Sequence, residues 1–216
     1  QGLMKVMQSA LDNAKTPGKV TLTTMRHNEH YGVGQSRNEG TETLVKWGAD
    51  CVAYLDAHER LPYKGLEIMA QKAKETGAIV CSGSTGFEDP CHFWAWGCKL
   101  VYDPHDKVIS AKWLDGEKGE DGKPQFGKAG RPKAEWLPSN AFMGGCYVIS
   151  RSTIAKLSEP TGRLWEDIAG EWGFSEEALS FKAAMLGVPI LTSRDVVVKH
   201  LYNAPNRCPD TQRQCW

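Results

Sequence analysis

GVGQSRNEGTETLVKWGADCVAYLDAHERLPYKGLEIM, residues 32–69, is the stretch from which the rest of the chain is read. Its first half places Leu44, Val45 and Trp47 on a pattern that predicts a helix over about 35–48. Cys51-Val52-Ala53-Tyr54-Leu55 is short and nearly all apolar, which predicts a buried, central strand of a parallel sheet. That strand runs straight into Asp56-Ala57-His58-Glu59. Tyr63 to Gly77 predicts the next helix, which feeds an apolar strand from Ala78 to Ser82.

Upstream, Leu3, Val6, Met7, Ala10, Leu11 and Ala14 share one helical face, and Thr16-Pro17-Gly18 stops that helix. Lys19 to Met25 reads as a strand, and Arg26 to Gly34 as a polar loop. The order αβαβαβ argues for a doubly wound α/β sheet. After Gly83 the aromatic cluster Phe93, Trp94 and Trp96 predicts antiparallel strands or a covering layer. Residues 115–138, rich in Gly, Pro and charge, predict a flexible loop or lid. AFMGGCYVIS, residues 141–150, reads as a strand opened by a double glycine. Short and long helices follow over 152–157 and 176–187, then strands over 188–191 and 196–201, and an irregular tail over 203–216. No internal repeat or second domain shows, so residues 1–216 read as a single domain.

Twenty-six basic residues balance 26 acidic ones, and the pI is near 7. That balance gives no general attraction to nucleic acid or anionic lipid. No apolar run approaches the ~20 residues needed to span a bilayer, and no signal peptide opens the chain. The seven cysteines (51, 81, 91, 98, 146, 208 and 215) form no CxxC pair. They read as buried thiols of a cytoplasmic protein, or of the host cytoplasm if the source is viral. Spacing leaves a Cys208–Cys215 bond open.

Asp56 and His58 alternate along extended backbone, so both side chains point to the same side at the carboxyl end of a strand. Open α/β sheets bind ligands at that end. One carboxylate and one imidazole suit Mn2+ first, with Mg2+ as the alternative, better than Ca2+. A metal held there would bridge phosphates and neutralise a leaving diphosphate. Equally, Asp56 caps the following turn and His58 is incidental. His27, Asn28 and His30, and the set Asp89, Cys91 and His92, read as loop and core residues rather than a second metal group.

The 32–69 stretch resembles the GT-A glycosyltransferase pattern: an Arg-Asn helix, a Gly-Ala-Asp turn, and a strand closing on Asp-x-Asp or Asp-x-His. Its Asp-x-His form is similar to the polypeptide N-acetylgalactosaminyltransferases, whereas family-2 enzymes more often carry a second Asp. FMGGCYVIS resembles the Gly-Gly strand beside the donor sugar, which would place Gly144 and Gly145 there; a β-bulge is the structural alternative. EWGFSEEALSFKAAMLG, residues 171–187, resembles the acceptor-side segment. It implies Trp172 as a face for a sugar and Glu176 or Glu177 as general base, with Glu166-Asp167 the alternative pair. DVVVKHLYN, residues 195–203, is similar to the late strand whose histidine is the third ligand, completing the set Asp56, His58 and His200. Arg37 and Asn38 would face the nucleotide or diphosphate, or simply begin their helix.

The resemblance covers about 19–203 and implies a GT-A mixed sheet flanked by helices. No strand–helix–strand unit precedes Leu3, so the opening βαβ unit is expected to be missing or minimal, with an edge that needs a partner or oligomer to cover it. The implied activity is metal-dependent transfer of a sugar from a nucleotide-diphosphate donor, UDP by analogy, to an acceptor hydroxyl. Protein, glycan, small molecule and a hydroxylated DNA base of a phage-type system stay open as acceptors. Lys118, Lys123, Lys128, Arg131 and Lys133 would serve the DNA case, although neighbouring acids dilute them. The competing readings are a degenerate, non-catalytic carbohydrate- or partner-binding module and a nucleotidyltransferase of similar topology.

Overall fold

The computed structural model describes residues 32–87, 94–105, 107–114, 132–142, 145–166 and 174–201. The expected helix from Leu3, the strand from Lys19, residues 115–131 of the loop, and the tail lie outside these residues. So do His27, Asn28, His30, Asp89, Cys91, His92, Gly144, Asp167, Trp172, Cys208 and Cys215.

The order is α1 (Gly32–Lys46), β1 (Cys51–Tyr54), β2 (Glu59–Arg60), α2 (Gly65–Thr76), β3 (Ile79–Gly86), β4 (Trp94–Ala95), β5 (Cys98–Asp103) and β6 (Val108–Trp113). There follow β7 (Trp136–Ser139), β8 (Tyr147–Ser150), α3 (Arg151–Ser158), α4 (Ser175–Met185) and β9 (Ile190–His200). Among the described residues, seven strands form one mixed sheet along the path β1-β8-β3-β9-β2. β4 adds to β3, and β7 to β9. β5 and β6 make a separate hairpin.

Directions within the sheet decide where a ligand can sit. β8 is antiparallel to both β1 and β3, and β3 is parallel to β9. β1, β3 and β9 therefore all run the same way and end at one edge. Asp56 follows β1 at that edge, and His200 is the last residue of β9.

Period-two alternation splits the core between the faces of the sheet. Ile79, Cys81, Tyr147 and Ile149 face a cluster with Phe142, Leu157, Trp165 and Leu179. Val80, Cys146, Val148, Val196 and Val198 face α2 through Met69 and Ala73. Helix ends explain the connections. Gly77 closes α2 at φ 64, its N–H bonding Ala73 O, a left-handed cap that glycine adopts without cost. Ser150 caps α3 by accepting from Thr153 N, and Thr153 Oγ1 donates to Gly77 O.

Four expectations change. Where parallel neighbours were expected for β1, its strand neighbour among the described residues is β8, antiparallel. A short apolar run reports that helices cover its faces, here α1 and α2, not what pairs with its edges. The segment 141–150 is a strand only from Tyr147, because Gly145 sits at φ 127, outside extended geometry. The C-terminal end of the expected loop is β7, paired with β9 over 136–139. The two late strands are one continuous β9, but its pairing with β3 jumps from Cys81↔Thr192 to Gly83↔Val197. Side chains satisfy the backbone released by that jump. Trp96 Nε1 donates to Arg194 O, and Ser193 Oγ accepts from the amides of Asp195 and Val196. A side chain at Gly83 would overlap the Trp96 ring, with Cβ 2.7 Å from Nε1.

Candidate metal centre

β2 is two residues long and pairs Glu59 with His200 and Arg60 with Lys199. Leu201 N donates to His58 O at 3.3 Å, extending the ladder. This pairing folds the Asp-Ala-His turn back over the end of β9 and joins residues 144 positions apart.

Asp56, His58 and His200 each offer a ligand atom, and these atoms lie within 4.8 Å of one another. Asp56 Oδ2 is 3.4 Å from His200 Nε2. The His58 and His200 rings meet edge-to-face with centroids 4.4 Å apart. The His200 imidazole first, then His58 and Arg37, hold the Asp56 carboxyl below its usual range against the opposing effect of burial. One carboxylate oxygen and two imidazole nitrogens at this spacing form a donor set that fits a borderline divalent ion. The deprotonated carboxylate such an ion requires is the form this environment favours.

Glu59, which carried no expectation, lies against this group. Burial, and secondarily the Asp56 charge, push its carboxyl up to about 7. Its Oε2 is sealed from solvent and has no hydrogen-bond partner among the described residues. Its Oε1 lies 2.7 Å from where a Cβ on Gly145 would stand. Glycine at 145 thus meets two demands, the positive φ and the room taken by Glu59. A usable sign was the third acidic or imidazole side chain within four residues, but nothing in the spacing showed that it turns inward.

Arg37 and Asn38 face the loop before α4. Arg37 Nη1 bonds Glu176 Oε1 at 2.6 Å, and its guanidinium lies over the Trp165 ring at 4.7 Å. Asn38 clamps the Trp165 backbone, donating to its carbonyl at 2.8 Å and accepting from its amide at 2.9 Å. Trp165 is fully buried and meets Tyr54 and Tyr147 in an aromatic group. Glu177 Oε1 accepts from Ala111 N at 3.3 Å, tying α4 to β6. Glu166 is engaged by Lys182 and by Thr161 Oγ1.

The structure therefore brings Asp56, His58 and His200 together, with Gly145 adjoining through Glu59. It brings Arg37 and Glu176 together as an ion pair that the sequence did not reveal, since 139 residues separate them. The described thiols Cys51, Cys81 and Cys146 are free. Burial pushes Cys146 up to about 12 and Cys81 well above its ordinary value, so both are inert rather than nucleophilic. Among the described residues, no helix is long and apolar enough to cross a membrane.

No protein-family model and no curated protein matches the sequence. The fold does match solved structures. One is a crystal structure of GalNAc-T7 with UDP, GalNAc and Mn2+, at TM-score 0.56 and 18% identity over 82% of this chain. The chain spans 32% of the length of that structure. The likeness establishes a mixed α/β fold of the GT-A glycosyltransferase type.

Proposed function

We propose that this chain is a metal-dependent glycosyltransferase that moves a sugar from a nucleotide-diphosphate donor to an acceptor hydroxyl. The observation that carries this reading is the convergence of Asp56, His58 and His200 at the shared end of β1 and β9, in a fold like that of GalNAc-T7. Mn2+ is the proposed ion, Mg2+ the alternative, and UDP the proposed carrier, by likeness to that structure. A bound divalent ion supplies charge neutralisation for the diphosphate as it leaves.

The chain's own residues do the rest. Asp56, His58 and His200 would hold the ion, and β2 brings His58 against His200. Gly145 is proposed to stand on the sugar side, as is Gly144. Arg37 sits between two carboxylates, felt by Asp56 and bonded to Glu176, and so positions positive charge toward the diphosphate. Asn38 holds the Trp165 turn that supports Arg37. Glu176, engaged by Arg37, acts as an orienting group, leaving Glu177 as the proposed base on the acceptor. Asp167 is the alternative base, and Trp172 the proposed apolar face for a sugar.

The test is donor hydrolysis and transfer with Mn2+ and a panel of nucleotide sugars. Chelation abolishes turnover, and His58→Ala with His200→Ala reduces it by about a hundredfold or more. Turnover that survives the double variant sinks the metal assignment. Comparing Glu176→Gln, Glu177→Gln and Asp167→Asn identifies the base. Collapse of Asp167→Asn alone would show that the base lies outside α4.

A further inference from the structure

A small, half-open pocket lies beside the Asp56–His58–His200 group. Its walls include Glu59, Ser82, Phe142, Gly145, Cys146 and Thr192. Three observations single out Glu59 within it. Its Oε2 is desolvated and lacks a hydrogen-bond partner among the described residues. Such an atom costs free energy that a native fold ordinarily avoids unless a ligand or water completes it. The carboxylate occupies the space that any side chain at 145 would need, so the sequence at 145 keeps room for it. Finally, Glu59 pairs directly across β2–β9 with His200. Directly paired residues point to the same face of a sheet, which puts the carboxylate on the side of the candidate metal ligands.

From this juxtaposition we infer that Glu59 hydrogen-bonds an exocyclic hydroxyl of the transferred sugar and so selects among donors. The inference rests on the glycosyltransferase reading. A sugar attached to a metal-bound diphosphate is confined close to the ion, within reach of a pocket that adjoins it. The pocket's lining suits one hydroxyl or hydroxymethyl group rather than a ring. Ser82 Oγ, which donates to Cys146 O at 3.3 Å, keeps an oxygen on its wall. A site built around a sugar hydroxyl discriminates strongly against ligands lacking it, because the protein's own buried polar atom is then left unpaired.

Calorimetric titration of the full chain with Mn2+ tests this. The probes are UDP, GDP and dTDP and the corresponding diphosphoglucoses and diphosphogalactoses. The parent binds one sugar nucleotide more tightly than its own nucleoside diphosphate. Glu59→Ala leaves the affinity for that diphosphate within about threefold and lowers the sugar's added affinity about tenfold or more. The isosteric Glu59→Gln, whose melting curve is checked against the parent, also loses preference between glucose and galactose forms. Equal weakening of diphosphate and sugar nucleotide by both variants would assign Glu59 to the metal or the fold and overturn the inference. So would unchanged binding, or a parent that gains nothing from the sugar. A parent that binds Mn2+ and none of the nucleotides overturns the glycosyltransferase reading itself, and the inference with it.

Discussion

At Gly145 a backbone angle and a buried side chain make the same demand on one residue. Gly145→Ala puts a Cβ at φ 127 and within 2.7 Å of Glu59 Oε1. We expect a loss of about 2 kcal/mol or more in urea unfolding. Adding Glu59→Ala removes the clash but not the torsional strain, so the double variant should recover part of the loss and fall short of additivity. Glu59 also makes stability depend on pH. Its folded value, about 7, lies above the ordinary 4.5, so the folded state holds the proton more tightly than the unfolded chain. That contribution is complete below about pH 4.5 and is lost as the pH rises through about 7. In metal-free protein, Glu59→Gln should therefore melt above the parent at about pH 8.5, with the advantage vanishing near pH 4.5. Thermal scans at the two values check it, and a variant that gains at both contradicts the assignment. These residues also mark where sequence reading stopped. Asp56 and His58 were legible as a motif closing an apolar strand, although a turn with Glu59 N bonding Asp56 O, not alternation along extended backbone, brings them together. Glu59 was not, because its inward turn depends on a two-residue strand whose partner is 141 positions away (200 − 59).

Helices and strands were more legible than their partners. Amphipathic spacing located α2 and α4 to within two residues, since a buried face such as Met69 and Ala73 leaves its period in the sequence. Pairing leaves no such trace. β1 gave an apolar run but no sign of its antiparallel neighbour, and β7 was hidden in a stretch dominated by glycine and charge. The Arg-Asn pair of α1 was visible as a motif, whereas its attachment to Trp165 was not. That attachment is testable. Asn38→Ala removes both bonds to the Trp165 backbone and leaves a largely buried amide and carbonyl without partners. We expect a cost of about 2 kcal/mol. The near-ultraviolet circular dichroism of the Tyr54–Tyr147–Trp165 group should change with it, because the clamp holds that ring cluster. An unchanged spectrum and melting curve would show that α1 docks by other contacts.

Across the molecule, three parallel strand ends form the edge at which the candidate ligands meet, and this links metal binding to global stability. A native-only site stabilises by RT ln(1 + [L]/Kd), about 2.7 kcal/mol at a hundredfold excess over Kd. Mn2+ should therefore raise the melting temperature, EDTA should reverse the rise, and His200→Ala should abolish it. A metal-dependent shift that persists in His200→Ala would place the ion elsewhere.

The bridge between the Asp-Ala-His turn and the end of β9 also sets an order of events during synthesis. Asp56 and His58 leave the ribosome about 140 residues before His200 (200 − 58 = 142). They remain an incomplete pair until the last long strand has joined its neighbour. Closing so wide a loop is slow compared with forming local helices, so the third imidazole arrives only as β9 joins β3, β2 and β7. Capture of the ion would then time-stamp completed folding. A nascent chain stalled before residue 200 would lack both the third member of the candidate group and the strand that joins β3 to β2 and β7.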